Sequence, residues 1–310
     1  MPDLSHAVTD QRKRAWTGSL LVLCAGLSWS FSGLLVRSAP NLDPWQFLAY
    51  RSLGLALAFA VLDHTNKRPP LLPRLMRLGW PGTLAAVLMA LAFITYIFAL
   101  MNTTVANALF ISSLAPILSA LIGFLVLGER LNRGMAVAVV IGIAGLGVMV
   151  RGAIGGGNLF GNLIAMCPPL CFASYSVLLR LRPKQDFSAI VNGFALLVVL
   201  VAFPMMLLNG SAVFPSVKEV SAAFANGFVT MGLGFYLFQR GAPRIPAVSQ
   251  TLLAQTETLA GPIWVWLLLN ERPSLNTLTG GSIILFAVVL MAYYGAKHEA
   301  ERLRLTEAHI

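Results

Sequence analysis

The sequence predicts an all-α polytopic membrane protein with ten transmembrane helices arranged as two inverted five-helix repeats. Three observations lead to this fold class: the composition, the spacing of apolar runs and an internal repeat. Of the 310 residues, 57% are hydrophobic and only 11% are charged. Soluble domains carry about 25% charged residues and need polar cover for their surface. We therefore expect most of this chain to lie in a bilayer.

Ten apolar runs are long enough to cross a bilayer. A helix that crosses a hydrocarbon core about 30 Å thick needs about 20 mostly apolar residues. The runs of this length are 18–37, 44–62, 79–101, 104–127, 134–150, 160–180, 188–208, 221–240, 246–269 and 276–296. The first run is longer than the apolar core of a signal peptide and many runs follow it, so we interpret it as a retained first helix.

The basic residues indicate the orientation of the chain. With the N-terminus in the cytoplasm, seventeen of the 22 Lys and Arg residues fall on the inner side, four fall on the outer side and Arg51 lies inside a span. Cytoplasmic loops carry such an excess in membrane proteins. We expect a bacterial inner membrane protein whose tails, 1–17 and 297–310, are both cytoplasmic. The net charge of +10 then needs no nucleic-acid partner, since no basic face with interleaved aromatic residues is present.

The two halves of the chain resemble each other. "GSLLVLCAGLSWSFSGLLVRSAP" (18–40) aligns with "GNLIAMCPPLCFASYSVLLRLRP" (161–183) at an offset of 143, and "LGERL" (127–131) aligns with "LNERP" (269–273) at an offset of 142. Chance similarity among apolar helices is the alternative, but hydrophobicity alone does not explain matches at Gly, Cys, Arg, Pro and Glu.

The repeat predicts where a binding site lies. The first repeat covers 18–151 and the second covers 160–296, with five spans each. Because five is odd, the second repeat crosses the membrane in the opposite sense. Inverted repeats are typical of secondary transporters, whose site lies near the midplane between the halves.

Two segments of the chain resemble a known family. "LFISSLAPILSALIGFLVLGERL" (109–131) and "RIPAVSQTLLAQTETLAGPIWVWLLLNERPS" (244–274) are similar to the fourth helices of the two repeats in the drug/metabolite transporter superfamily, EamA-type branch. Asn270 departs from the Gly that usually precedes Glu271. The resemblance covers nearly the whole chain and implies a ten-helix transporter of small molecules, without indicating which molecule.

Glu257 is a carboxylate in the middle of an apolar run. It lies about eleven residues, or roughly 16 Å of helix, from either end of 246–269. A charge at that depth costs about 2.5–3.5 kcal/mol and normally faces a cavity or a partner. We interpret Glu257 as a residue that binds a cationic part of the substrate or exchanges a coupling proton. A salt bridge that only holds helices together is the alternative.

Gln250 and Trp264 share a helix face with Glu257, since each lies seven residues from it along the span 246–269. We expect this face, which also carries Gly261, to form a cavity wall.

Arg51 is the one basic residue deep in a span. It is expected either to face the cavity, paired with Glu257 or with a substrate carboxylate, or to snorkel and bond helix carbonyls. If both charges line one cavity, a zwitterion such as an amino acid is a suitable substrate. Trp29, in the middle of the first span, either stacks on the substrate or packs in the core. Tyr96, near a helix end, is expected in an interfacial aromatic belt.

Five further residues have predicted structural or gating roles. Pro116 belongs to a stripe of small residues that favours close helix packing. Pro168 and Pro169 should kink the sixth span, as a static kink or as a gating bend. Glu129 and Glu271 end the fourth helix of each half, and the arginines that follow them indicate structural ion pairs.

No motif indicates an enzyme, a cofactor or a metal site. The chain has no Walker-type lysine, no G-x-S-x-G or H-E-x-x-H arrangement, and its four histidines match no metal-ligand spacing. We therefore predict a secondary active transporter for a small polar or amphipathic metabolite, with export favoured by the family resemblance and a proton or counter-substrate as coupling partner. The alternatives are an uptake carrier for a nutrient, vitamin or nucleoside, and a non-transporting scaffold or membrane enzyme.

Overall fold

A computed structural model describes residues 4–128, 131–154, 159–181 and 185–307. These residues form sixteen α-helices, one π-helical turn and one 3-10 turn. The helices of the first half are α1 (Leu4–Ser30), α2 (Ser32–Arg37), α3 (Pro44–Thr65), α4 (Leu71–Met76), α5 (Gly79–Asn102), α6 (Val105–Ser112), α7 (Ala115–Leu127) and α8 (Arg133–Ile154).

The second half begins with α9 (Leu159–Ile164). It continues with α10 (Cys167–Leu181), α11 (Phe187–Leu208), α12 (Val217–Ala225), the π turn (Asn226–Met231), α13 (Gly232–Gly241), the 3-10 turn (Ala242–Arg244), α14 (Ala247–Ala254), α15 (Thr256–Leu269) and α16 (Leu275–Glu307). The last helix therefore runs on through most of the predicted C-terminal tail.

Ten helical segments of the described chain are long and apolar enough to cross a membrane, which confirms the prediction. They are Lys13–Arg37, Pro44–Thr65, Gly79–Asn102, Val105–Leu127, Arg133–Arg151, Leu159–Leu179, Phe187–Leu208, Val217–Arg244, Ser249–Leu269 and Leu275–Lys297. We call them spans 1 to 10. Their ends lie within five residues of the predicted ones.

Several spans are interrupted, which the apolar pattern does not reveal. Spans 1, 4, 6 and 9 each consist of two helices, and span 8 contains the π turn. At three interruptions a hydroxyl donates to the carbonyl three residues earlier, as Ser30 does to Leu27 (2.6 Å), Ser113 to Phe110 (2.6 Å) and Thr256 to Leu253 (2.7 Å). Such bonds compete with the helical ladder.

Proline accounts for two of the interruptions. Pro116 lies in the first turn of α7, just after the break in span 4, and Pro168 and Pro169 lie in the first turn of α10. Proline has no N–H to donate, so it is tolerated at the start of a helix. The interruption of span 6 that we predicted at Pro168 and Pro169 therefore lies just before them, at 165–166.

The main helix contacts join one half of the chain to the other. Helix α3 packs on α11, α8 on α16, α1 on α13 and α5 on α10. If spans 1–5 and spans 6–10 change places, the contact between spans 2 and 7 and the contact between spans 5 and 10 are unchanged. The contact between spans 1 and 8 becomes the contact between spans 6 and 3.

Helix α3 and the π turn approach each other at backbone contact distance. An ideal Cβ on Gly227 would lie 1.7 Å from the carbonyl oxygen of Arg51, and one on Gly54 would lie 2.5 Å from that of Phe224. Only glycine permits this approach, which presents the residues of the π turn to the middle of span 2.

Candidate functional site

Glu257 lies at the second residue of α15, directly after the interruption of span 9. Eight residues separate it from the start of span 9 and twelve from the end, which is about 12 and 18 Å of helix. The N-terminal end of α15 favours a negative charge, because the unpaired N–H groups of a first turn carry partial positive charge. The side chain is half-buried and accepts a hydrogen bond from the Tyr96 hydroxyl at 3.4 Å.

Arg51 is the largest fully buried side chain among the described residues, with 1% of its surface exposed. Its Nε donates to Oδ1 of Asn226 at 2.9 Å. The carbon of the guanidinium lies 4.1 Å from the centre of the Phe93 ring and 5.8 Å from that of Tyr96. Its Nη1 has no hydrogen-bond partner among the described residues. Arg51 therefore faces the interior of the bundle and does not snorkel.

Asn226 holds Arg51 in place from the π turn. Its Nδ2 donates to the carbonyl and to the hydroxyl of Ser32, both at 3.1 Å. Ser32 begins α2, immediately after the interruption of span 1. π-Helical turns inside α-helices occur often at functional sites, and here the turn joins spans 1, 2 and 8 through one buried amide.

Tyr96 lies between the two opposite charges. Both Arg51 and Glu257 belong to the described part of the chain, and no ion pair within 4 Å joins them there. Instead Tyr96 contacts the guanidinium with its ring and the carboxylate with its hydroxyl. The prediction of an interfacial belt position for Tyr96 is wrong, because six residues, or about 9 Å, separate it from the end of span 3.

Trp29 packs in an aromatic cluster. Its ring lies 5.4 Å from that of Phe235 and 5.6 Å from that of Phe238, and Gly234 leaves room for its indole edge. Phe235 in turn contacts Phe93, on which Arg51 stacks. The buried Nε1 of Trp29 has no hydrogen-bond partner among the described residues. Trp29 is thus part of the aromatic surroundings of Arg51 and carries a free donor.

Trp264 borders the interruption of span 1. Its Nε1 donates to the Ser30 hydroxyl at 2.9 Å, and its ring stacks on Phe31 at 5.1 Å with an angle of 11°. The serines on either side of Phe31 therefore bind two different spans, Ser30 binding span 9 and Ser32 binding span 8.

Gln250 lies apart from this group, and its predicted place on a common face with Glu257 is wrong. The interruption at Gln255 separates α14 from α15, so the two residues belong to different helices. The amide of Gln250 donates to the carbonyls of Ala242 (2.7 Å) and Ile245 (3.0 Å). Gln250 therefore closes the turn between spans 8 and 9.

Glu271 pairs with Arg37 rather than with the neighbouring Arg272 that the sequence suggested. Nε of Arg37 donates to Oε2 of Glu271 at 2.7 Å, and the backbone N–H of Val105 donates to Oε1 at 2.8 Å. The carboxylate thus joins span 1, the start of span 4 and the loop after span 9. Glu129, its predicted counterpart, lies outside the described residues.

A buried amide and hydroxyl network lies beside that ion pair, and sequence reasoning missed it. The Thr103 hydroxyl donates to Oδ1 of Asn162 at 2.7 Å, and Nδ2 of Asn107 donates to the same atom at 3.2 Å. The Thr277 hydroxyl donates to Oδ1 of Asn107 at 2.6 Å. The network joins spans 3, 4, 6 and 10 at the predicted outer end. Polar residues at the ends of these four spans were the feature of the sequence that could have indicated it.

An ionic cluster joins the halves at the predicted inner end. Arg74 on α4 donates to Asp63 at 2.6 Å and to both oxygens of Asp186 at 2.7 and 2.9 Å. Burial alone would raise the pKa of Asp186, but the hydrogen bonds from Arg74 and from the backbone of Ala189, together with the charges of Arg74 and Arg68, outweigh burial and hold that pKa below its ordinary value. The hydrogen bond to Asp186 also raises the pKa of Arg74.

The arrangement brings two opposite charges and aromatic surface together from four spans. A guanidinium with a free donor, a phenol, a carboxylate and an indole with a free donor come from spans 1, 2, 3 and 9. Among the described residues, no group of three or more His, Cys, Asp and Glu side chains is placed to hold a metal ion.

Comparisons with known proteins point to one family. The EamA-like transporter family matches the chain twice, over residues 16–151 and 159–293. The pseudopaline exporter CntI of Pseudomonas aeruginosa is 24% identical over 280 residues, which cover 89% of this chain and 96% of the relative. The uncharacterized protein PA1977 of the same organism is 25% identical over 86% of this chain and 94% of its own length. A solved crystal structure superposes with a TM-score of 0.66 at 20% identity, over 88% of this chain and 96% of that chain, which shows a shared fold.

Proposed function

Because this chain belongs to the EamA-like transporter family, we propose that it is a secondary active transporter that moves a small zwitterionic metabolite by alternating access. Members of this family are multi-pass membrane proteins that carry small molecules, and the substrate class is our inference from the buried charges.

The observation that carries the proposal is the pair of opposite charges on either side of Tyr96. Arg51 comes from the first half of the chain and Glu257 from the second, and they do not neutralise each other by direct contact. A substrate carboxylate would accept from the free Nη1 of Arg51, and a substrate ammonium would lie against Glu257. Charge-assisted bonds of this kind are strong where water is excluded, and a bound zwitterion would leave the site neutral.

The aromatic residues suit the remainder of such a substrate. Trp29 supplies a buried donor, and Trp264 supplies a half-buried ring beside the interruption of span 1. Phe93 and Phe235 form apolar walls near Arg51. A metabolite with an apolar or aromatic side group would pack against these rings better than a fully polar one.

Alternating access is supported by the two-fold pattern of the chain. The family matches each half separately, and the contacts between spans are compatible with an exchange of the halves. Transporters with inverted repeats move one half against the other around a central site, and broken helices line that site. We propose that the units 18–151 and 160–296 move in this way, with Glu257 exchanging the substrate for a coupling proton or a counter-substrate.

Export across the inner membrane, with both termini in the cytoplasm, is the direction we propose. The basic residues support this orientation. A relative that aligns over nearly its whole length is named as an exporter of pseudopaline, which supports export of a metabolite by this chain.

A ligand screen on matched variants tests the proposal. We would measure the thermal shift of the purified protein with a panel of zwitterions, and with the methyl ester and the deaminated analogue of each. Esterification should abolish stabilisation through Arg51, and deamination should abolish it through Glu257. Glu257→Gln should lose the response, whereas the control Glu219→Gln should keep it, because Glu219 is buried elsewhere and bonded to Asn41.

The outcome that would remove Glu257 from substrate binding is equal stabilisation of wild type and Glu257→Gln by the same ligand. Counterflow in inside-out and right-side-out vesicles then gives the direction. Transport only into inside-out vesicles indicates export.

A further inference from the structure

A basic cavity lies at the predicted cytoplasmic end of spans 1 and 8, away from the site around Arg51. It is an open surface depression with a volume of about 460 Å³, and its lining residues are Lys13, Arg14, Thr17 and Arg244. Span 1 begins at Lys13 and span 8 ends at Arg244, so the cavity lies where both helices leave the membrane.

Close packing brings these cations together. An ideal Cβ on Gly18 would lie 2.7 Å from Cβ of Arg244 and 3.0 Å from the carbonyl oxygen of Gly241. The absence of a side chain at Gly18 therefore lets the turn after span 8 lie directly on α1. Lys13 and Thr17 are one helical turn apart on α1, and the Thr17 hydroxyl donates to the carbonyl of Lys13 at 2.8 Å.

Two of the three cations that line the cavity, Lys13 and Arg244, have no acidic partner among the described side chains. Both of these side chains are exposed. Two cations without a carboxylate partner on one rim repel each other at short range. An anion between them would remove that repulsion.

The neighbouring residues belong to a membrane boundary. Trp16, which precedes the lining residue Thr17 in α1, has 74% of its surface exposed, and Leu20, one turn further into span 1, has 52% exposed. Tryptophan is enriched at the level of the lipid headgroups. An anion in this cavity would thus lie at headgroup depth, with apolar protein surface directly below it for an acyl chain.

We propose that this cavity binds the phosphate of an anionic phospholipid from the cytoplasmic leaflet. Basic pockets between transmembrane helices on that side suit anionic headgroups, and the exposed Leu20 favours a lipid over free phosphate. This inference is independent of the substrate proposed above, since none of the four lining residues contacts Arg51 or Glu257 in the described chain.

Native mass spectrometry of the full chain in detergent tests the proposal. Phosphatidylglycerol should bind the wild type more tightly than phosphatidylcholine, which has the same chains and no net charge. The double variant Lys13→Gln/Arg244→Gln should weaken phosphatidylglycerol binding about thirtyfold, the effect of two interfacial cations. The control Arg77→Gln/Arg133→Gln, which removes two exposed cations at the same predicted face, should bind as the wild type does.

Three results would overturn the proposal. An equal loss of binding in the control variant would show non-specific attraction to the basic face. Equal binding of both lipids to the wild type would show that the cavity does not distinguish an anionic headgroup from one without net charge. Displacement of phosphatidylglycerol by inorganic phosphate at matched concentration would assign the cavity to a free anion instead.

Discussion

Replacing Gly227 with alanine is expected to force spans 2 and 8 apart and to damage the Arg51 site. The added Cβ would lie 1.7 Å from the carbonyl oxygen of Arg51, whereas ordinary contacts begin near 3.4 Å. Both groups belong to backbone, so neither can rotate away. The gap must open by about 1.7 Å, the difference between these two distances.

That displacement has two costs. Overpacking of a close-packed interior costs about 1–3 kcal/mol. The bond from Arg51 to Asn226 is 2.9 Å long, and an opening of this size breaks it, which costs a further 1.5–3 kcal/mol for a charged donor. Alanine gains at most about 1 kcal/mol over glycine in a helix. The net destabilisation expected for Gly227→Ala is therefore about 1.5–6 kcal/mol.

Thermal unfolding in detergent measures this effect, and Gly147→Ala is the matched control. An ideal Cβ on Gly147 meets nothing within 4 Å, so that variant should melt at or slightly above the wild-type temperature. Gly227→Ala should melt several degrees lower and lose substrate-induced stabilisation. If both variants melt together, α3 and the π turn are not in backbone contact and the reasoning is refuted.

Two further predictions concern polar contacts outside and beside the site. Asp186→Asn should make the unfolding temperature less dependent on pH in the acid range. The depressed pKa of Asp186 means that its carboxylate stabilises the wild-type fold above about pH 3.9, and this contribution is lost as pH falls through the folded-state pKa. Thermal unfolding of both proteins between pH 7 and pH 3 checks it, and a wild-type curve no steeper than the variant's contradicts it. Trp264→Phe should cost about 1 kcal/mol through loss of its bond to Ser30; unfolding of Ser30→Ala and of the double variant should show non-additive losses, and full additivity would contradict a shared bond.

The number of spans and their approximate ends follow from the sequence because they depend on the hydrophobicity of each run of residues. A run of about 20 apolar residues is stable only across the bilayer, whatever its neighbours are. The interruptions depend on individual bonds instead. Pro116 and Pro168 were visible signals, but the hydroxyl bonds of Ser30 and Thr256 use the same residue types that occur in unbroken helices, as Thr95 does in α5.

The candidate site was predicted in part. Glu257 and Arg51 stand out in the sequence because an ion in the membrane is costly and needs a reason. Tyr96, which contacts both charges, and Asn226, which bonds to Arg51, carry no such cost and gave no signal. Gln250 was misplaced because a helical wheel assumes one helix, and the interruption at Gln255 divides span 9 into α14 and α15.

Composition, run length and the distribution of basic residues therefore determined the class, the number of spans and the predicted orientation of this protein, since each is set by the free energy of placing a residue in lipid or water. Tertiary structure decided which buried charges meet. Whether Arg51 contacts Glu257 or Tyr96 depends on the separation of spans 2, 3 and 9, and the contact of Gly227 with the Arg51 backbone helps to set it. Such separations depend on the packing of residues far apart in the chain, which no local pattern records.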